Sequence, residues 1–240
     1  MSDPLKPLLE LDGVAAAAKA AQDAVFAVHR LPANLRGGAE TAAEASVRAA
    51  RASAGIDGAN PELPEDGSVT DPLLAGALRV AEKLESLLPT WRRAPLQTVA
   101  RLHLLAASDV VSDPDQLGRP QRGGERLEML AQLVTGATSV PGPVLTAVVH
   151  GELLALSPFG SADGVVARAA ARLSMVATGL DPKALTVPEV AYFRRVPRYV
   201  ELAQGFAGGT AEGVREWLLF CCEAFEIGAS EARSISSAAG

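Results

Sequence analysis

Aromatic side chains are scarce in this 240-residue chain, at six Phe, two Trp and two Tyr. That scarcity points to a core built mostly from small and aliphatic side chains and argues against an all-β sandwich, whose strands draw on aromatic and β-branched residues. Cysteine is limited to the neighbouring pair Cys221 and Cys222. Adjacent helical residues point to different faces, so the two cannot easily bridge, and nothing suggests an oxidising compartment. No apolar run approaches the ~18 residues of a membrane span, and the start Met1-Ser2-Asp3-Pro4 has no basic region ahead of an apolar core. The expectation is a cytoplasmic protein with no membrane association. Positive charge is short too: the formal net charge is −6, which excludes a general nucleic-acid binder because phosphate neutralisation needs a basic surface. The three histidines, His29, His103 and His150, have no Cys or acid at metal-ligand spacing, and no metal site is expected.

What is abundant is alanine, 45 residues of it. Arginine outnumbers lysine 18 to 4 and asparagine occurs twice, a skew that a GC-rich genome produces, so part of the alanine excess is coding bias. The rest points to close-packed helices bearing small and aliphatic side chains. Val14, Ala18, Ala21, Val25 and Val28 recur at three- and four-residue spacing and predict a helix over 12–29, ended by Pro32. A second alanine-rich helix is expected over 39–54, with Gly55, Gly58 and Pro61 as stop signals and a polar linker to Asp71. Asp71-Pro72 reads as a cap and first turn for a helix reaching Leu88, and Pro95 opens another to about residue 107. Residues 108–124 lack periodicity and predict an exposed loop or small hairpin. A short helix over 125–136 precedes one over 141–156 whose apolar residues surround most of its circumference, the mark of a central helix. Helices are further expected over 163–178, 187–203 and 210–231, the last capped by Thr210.

The segment Ser157-Pro158-Phe159-Gly160-Ser161-Ala162-Asp163-Gly164-Val165-Val166-Ala167-Arg168 runs from a loop into a helix. Such a junction leaves unpaired amides, here at Ser161, Ala162, Asp163 and Gly164, at the positive end of a helix dipole, a ready place for phosphate. Arg168 lies one turn inside, and helical side chains lean back toward the N-terminus, within reach of the same anion. With the helix before it, the segment resembles the core of the Fic (Fido) family, whose motif is His-Pro-Phe-x-Asp/Glu-Gly-Asn-Gly-Arg-x-x-Arg, and the resemblance covers residue 71 to about 231. It implies a histidine as general base for a target hydroxyl, an acid holding Mg²⁺, amides binding phosphates and two arginines on the nucleotide's outer phosphates.

This chain matches that motif at Pro158, Phe159, Gly164 and Arg168. It departs at the base position, Ser157, and at Ser161, Ala162, Asp163 and Val165. A serine offers no basic lone pair near neutral pH, so general-base catalysis at Ser157 is lost. Ser161 supplies no carboxylate to a hard cation. Asp163 sets a negative charge inside the anion hole, and Val165 removes a cation. Upstream, Ser53-Ala54-Gly55-Ile56-Asp57-Gly58 resembles the inhibitory-helix motif Ser/Thr-x-x-x-Glu-Gly/Asn of one Fic subgroup, with Asp for Glu. The resemblance implies that Ser53, Asp57 and Gly58 mark an inhibitory-like segment in which Asp57 faces Arg168. Gly118-Arg119-Pro120 loosely resembles the region before the family's target-docking flap.

Other groups have plainer readings. His150 is a core or helix-contact histidine, two turns before Ser157. The 192–199 stretch, Tyr-Phe-Arg-Arg-Val-Pro-Arg-Tyr, is a solvated basic face over packed aromatics. Asp109, Asp113 and Asp115 are turn residues, and Arg92 and Arg93 serve the carbonyls of a helix end at Trp91. The expected fold is all-α, a Fic-like helical bundle with an N-terminal helical segment. The segment spans 1–60, a linker 61–70, the Fic-like domain 71–235 and a tail 236–240. The function expected is that of a Fic-like pseudoenzyme inactive as an AMP transferase. It would act by binding a protein partner or a phosphate-containing ligand, with no cofactor and without established need of ATP or Mg²⁺, and a homodimer is allowed. The alternative is an active nucleotidyl or phosphate-containing-group transferase, of the protein AMPylation class, using a non-standard base.

Overall fold

The computed structural model describes residues 3–35, 38–65 and 67–238, and among them only helices and loops occur. The start at Met1-Ser2, residue Asp66 of the linker and the end of the tail at Ala239-Gly240 lie outside that description. In chain order the helices are α1 (Val14–His29), α2 (Pro32–Leu35), α3 (Ala39–Ile56), α4 (Pro72–Trp91), α5 (Pro95–Ala107), α6 (Gly124–Gln132), α7 (Gly142–Leu156), α8 (Asp163–Ala177), α9 (Pro188–Phe193), α10 (Val196–Ala207) and α11 (Ala211–Ala238). No helix among the described residues is long and apolar enough to cross a membrane.

The apolar circumference of α7 places it between two cores. Val144, Ala147 and Val148 face α1, α9, α10 and α11, where Val25, Trp217, Phe220 and Phe225 are buried. Leu145, Val149 and Leu153 face α3, α4, α5, α6 and α8, where Leu74, Trp91, Leu102 and Leu173 are buried. Burying a large apolar side chain contributes about 1.5–3 kcal/mol, so both halves draw their stability from one shared helix. Gly151 makes the crossing with α11 possible: a Cβ there would lie 2.7 Å from Trp217 Nε1, and that indole donates to Ala147 O at 2.8 Å.

Local chemistry sets most helix ends where the sequence puts them. Asp71 accepts from the amides of Leu73 and Leu74 at 2.9 and 3.0 Å, a cap worth about 1 kcal/mol. Thr210 Oγ1 accepts from Gly213 N at 3.1 Å, and Arg93 donates to Pro89 O at the end of α4. Several expectations need correcting. The helix expected over 187–203 is two, because Pro188 and Pro197 each occupy a first-turn position and the chain turns through Arg194 and Arg195 between them. α1 ends at His29 as expected, and Pro32, expected only as its stop, also opens the short α2. α4 runs three residues past Leu88 with Pro89 inside it. Gly55 continues α3, being pressed against the Phe193 ring, where a Cβ would come within 2.6 Å. The helix over 125–136 gives way at Leu133 to a π-turn through Ala137 with Gly136 at φ 119°. α11 continues seven residues beyond Glu231, through the first part of the expected tail. Residues 108–123 form a loop with one 3-10 turn at Pro114–Gln116 and no hairpin, and Gly124, expected in the loop, is the first residue of α6.

Candidate functional site

The loop between α7 and α8 begins at Ser157, which caps α7 in the left-handed region at φ 40° and turns its hydroxyl back to donate to Leu154 O at 2.9 Å. A hydroxyl held against its own helix end is not aimed into the loop. Pro158 and Phe159 are buried. The Phe159 ring stacks on His103 at 4.0 Å and 4°, and Pro158 O accepts from Gln121 N at 2.8 Å, which ties the 117–123 segment to the loop. Ala162 takes φ 50° at the N-cap of α8, where a β-carbon is strained and glycine is the residue suited to the turn.

The carboxylate of Asp163 folds back over this turn. Its Oδ1 accepts from Phe159 N at 3.0 Å and its Oδ2 from Gly160 N at 2.7 Å, so two of the loop amides already have an anionic partner. Burial pushes the Asp163 carboxyl above its ordinary value, opposed by the two amides and by Arg122. A second carboxylate approaches the same helix end from α3: Asp57 stands so close over Gly164 that a Cβ there would lie 2.5 Å from Asp57 Oδ1. The glycine makes room for the carboxylate.

Arg168, only 2% exposed, is satisfied on every side. Its Nη2 donates to Asp57 Oδ2 at 2.7 Å and to Ser53 O at 2.9 Å, its Nε to Ser53 Oγ at 2.8 Å, and its Nη1 to Tyr199 Oη at 3.2 Å. Tyr199 Oη also lies 2.8 Å from His150 Nε2. Because the guanidinium donates to the phenol oxygen, the phenolic proton is left for His150, which accepts it as a neutral imidazole. Burial, and then the charge of Arg168, hold His150 well below its ordinary value. Burial works against the Arg168 charge, but Asp57 and Tyr199 raise its pKa above the ordinary arginine value. The ending of α3 supplies this geometry: Asp57 is the C-cap, and Gly58, at φ 98°, turns the chain away with its amide on Gly55 O.

The structure thus brings Ser53, Asp57, Gly164 and Arg168 together, and it keeps Ser157 and Ser161 apart from them on the loop's own contacts. Val165 is buried in the core shared by α3, α4 and α8, away from solvent. Sequence reasoning missed His103, which is 58 residues from its partner Ser161. Its Nδ1 accepts from Gly118 N at 2.9 Å, and its Nε2 lies 3.1 Å from Ser161 Oγ. A backbone amide can only donate, so Nε2 carries the ring proton and gives it to Ser161. That tautomer is the reverse of the one a Ser–His nucleophile requires. Burial lowers the His103 pKa. A second buried pair also escaped notice: Arg172 donates to the Glu189 carboxylate at 3.2 Å and to the carbonyls of Thr186 and Ala184, clamping the segment after α8. His29 finds an acid in Asp181 at 2.8 Å, but as a pair: among the described residues no cluster of three metal-ligating side chains occurs.

Neither a family model nor a curated protein matches the chain. Among solved structures, the chain is similar to a Fic family protein from Desulfovibrio desulfuricans G20, with a TM-score of 0.73 and 17% sequence identity over 93% of this chain and 74% of that one. At that identity the likeness speaks for the architecture, and the architecture is the Fic fold, all-α from end to end of the described residues.

Proposed function

We propose that this chain is a Fic-fold protein without AMP transferase activity, which works by binding a protein partner through its helical surface. The observation that carries the reading is the pair of carboxylates at the α8 N-terminus. Asp163 takes the amides of Phe159 and Gly160, and Asp57 takes Gly164's open face and the guanidinium of Arg168. A phosphate entering here would meet two negative charges and one arginine that already has four acceptors. A phosphate-containing ligand is therefore the weaker version of the binding role. Loss of one charged hydrogen-bond contact, about 1.5–3 kcal/mol, weakens binding roughly ten- to hundredfold, and nucleotide affinity should be millimolar at best.

The other reading, a transferase with a non-standard base, draws on His103, the imidazole in contact with the motif loop. It requires the ring proton to leave Nε2 against the Gly118 amide. Incubation with radiolabelled ATP, Mg²⁺ and a cell lysate separates the two. The expected result is no label on the chain or on lysate proteins above a heat-denatured control, with Ser157→His alone restoring none. Labelling that disappears in His103→Ala, in a variant still folded by circular dichroism, would overturn the binding-protein reading in favour of the transferase.

A further inference from the structure

At the end of α8 away from the motif loop, a groove of about 580 Å³ opens between α3 and α4, floored by the C-terminal half of α8. That volume lies in the range of sites that hold one small organic molecule. Its walls are apolar, with Ala42 and Ala43 on α3, Leu84 and Leu88 on α4 and Leu173 and Val176 on α8. Four of its lining residues, Ser46, Ala81, Leu84 and Arg172, also line a separate space of about 30 Å³ next to Ser53 and Arg168, room for a single water. An occupant of the groove therefore stops short of the Arg168 cluster and leaves its contacts intact.

The charges around the groove are unequal in availability. Arg172 is spent on Glu189 and two carbonyls, and the Lys183 ammonium donates to Asn34 O at 2.6 Å. On the opposite wall Glu82 and Glu85 are exposed; Glu82 meets its neighbour Lys83, and Glu85 has no ion partner among the described residues. Among the described residues, the lining thus offers an unpaired carboxylate at Glu85 beside the exposed Glu82 and withholds its cations. We propose that this groove binds an elongated apolar molecule carrying one cationic head group, its body along the α3–α4 seam and its ammonium at Glu82 and Glu85. The occupant touches α3 and α4 together, so binding requires α3 docked and favours the state in which Asp57 meets Arg168. The proposal stands or falls independently of AMP transfer.

The probe is decylamine, titrated calorimetrically into the full chain below its micelle concentration, with decanoate as the sign-reversed control. Saturable 1:1 binding and a raised melting temperature are expected for decylamine, with decanoate at least about tenfold weaker. Glu82→Gln with Glu85→Gln should weaken decylamine about three- to tenfold, and Ala43→Phe, at an exposed position of the wall, should abolish binding while leaving the melting temperature of the free protein near that of the parent. Asp57→Asn should weaken decylamine severalfold through α3. Equal binding of decanoate, retained affinity in Ala43→Phe, or no saturable binding of decylamine would overturn the site, including the case in which a basic helical peptide binds there instead. Unchanged affinity in Asp57→Asn would overturn the link to α3.

Discussion

The two turns that open α8 have met opposite fates. The motif loop before it, residues 157–162, is serviced locally: Ser157 by its own helix, Ser161 by His103, and the amides of Phe159 and Gly160 by Asp163. The Arg168 cluster one turn inside is serviced by helices far away in sequence, α3 and α10. Matches to the Fic motif largely follow burial. Pro158, Phe159 and Arg168 are buried, whereas Ser157, Ser161, Ala162 and Asp163 are half-exposed; Gly164 matches although half-exposed, because Asp57 occupies the space a Cβ would take. A half-exposed polar group can be exchanged with little effect on folding, because water replaces its partners, while a buried guanidinium leaves unpaired acceptors behind when it goes. Val165 is the opposite exception, buried and still unlike the motif: an arginine there would enter the apolar core shared by α3, α4 and α8, where valine fills the space. The contrast teaches that the folding requirement and the catalytic requirement of such a site can part company within a single helical turn.

Breaking the comparison takes, first, substitutions on its buried side. Arg168→Ala should cost about 3–5 kcal/mol in urea unfolding, the range for removing one partner of a buried pair. Asp57→Ala should cost less, its side chain being 24% exposed, and the double variant should lose less than the two losses added. Ser161→Ala should stay within about 0.5 kcal/mol. Equal losses at Arg168 and Ser161 would erase the distinction.

The next effect in size is pH-dependent. The folded chain keeps His150 neutral well below 6.5, the ordinary imidazole value that the unfolded chain retains. Between the two the unfolded state binds the extra proton, so stability is complete above pH 6.5 and falls as pH is lowered, by up to about 1.4 kcal/mol per unit. His103, also lowered, acts in the same direction. Urea midpoints between pH 7 and 5 should show this decline, and His150→Gln should flatten it; an unchanged slope in that variant would place the sensitivity elsewhere. The smallest effect sits in the loop. Ala162→Gly should stabilise the protein by about 0.5–1 kcal/mol by relieving a β-carbon at φ 50°, a gain readable as a small rise in melting temperature. A loss there would mean that the Ala162 methyl contributes more by packing than it costs in strain.

Which of these features can be read without coordinates depends on how local their causes are. The Asp71-Pro72 cap, the all-round apolar α7 and the start of α8 rest on neighbouring residues, and their positions follow from them. The continuation of α11 does not, since Ser234, Ser236 and Ser237 are weak helix formers. It is held by Ser236 meeting the buried Asn34 some 202 residues away, and by Ile235 buried against Ala45, Ala49 and Val187. At the site, the spacing of Ser53, Asp57 and Arg168 was enough to suggest a meeting through the family motif. His103 and Tyr199 reach the same neighbourhood only through packing, which gives a sequence reader no periodicity to find. The sequence places Tyr199 among packed aromatics, and its hydroxyl does the polar work that the composition conceals.

The polar thread from Asp57 through Arg168 and Tyr199 to His150 joins α3, α8, α10 and α7. Its first link closes over 111 residues, so during synthesis α3 leaves the ribosome long before the helix it must meet. Contacts of that sequence separation form late, after the local helical pairs. α3 can pair early with α4, its neighbour in sequence, but its Asp57 meets Arg168 only once α8 has formed. The thread is the knot tied last, and its loosening should show in how fast the protein unfolds and hardly at all in how fast it folds.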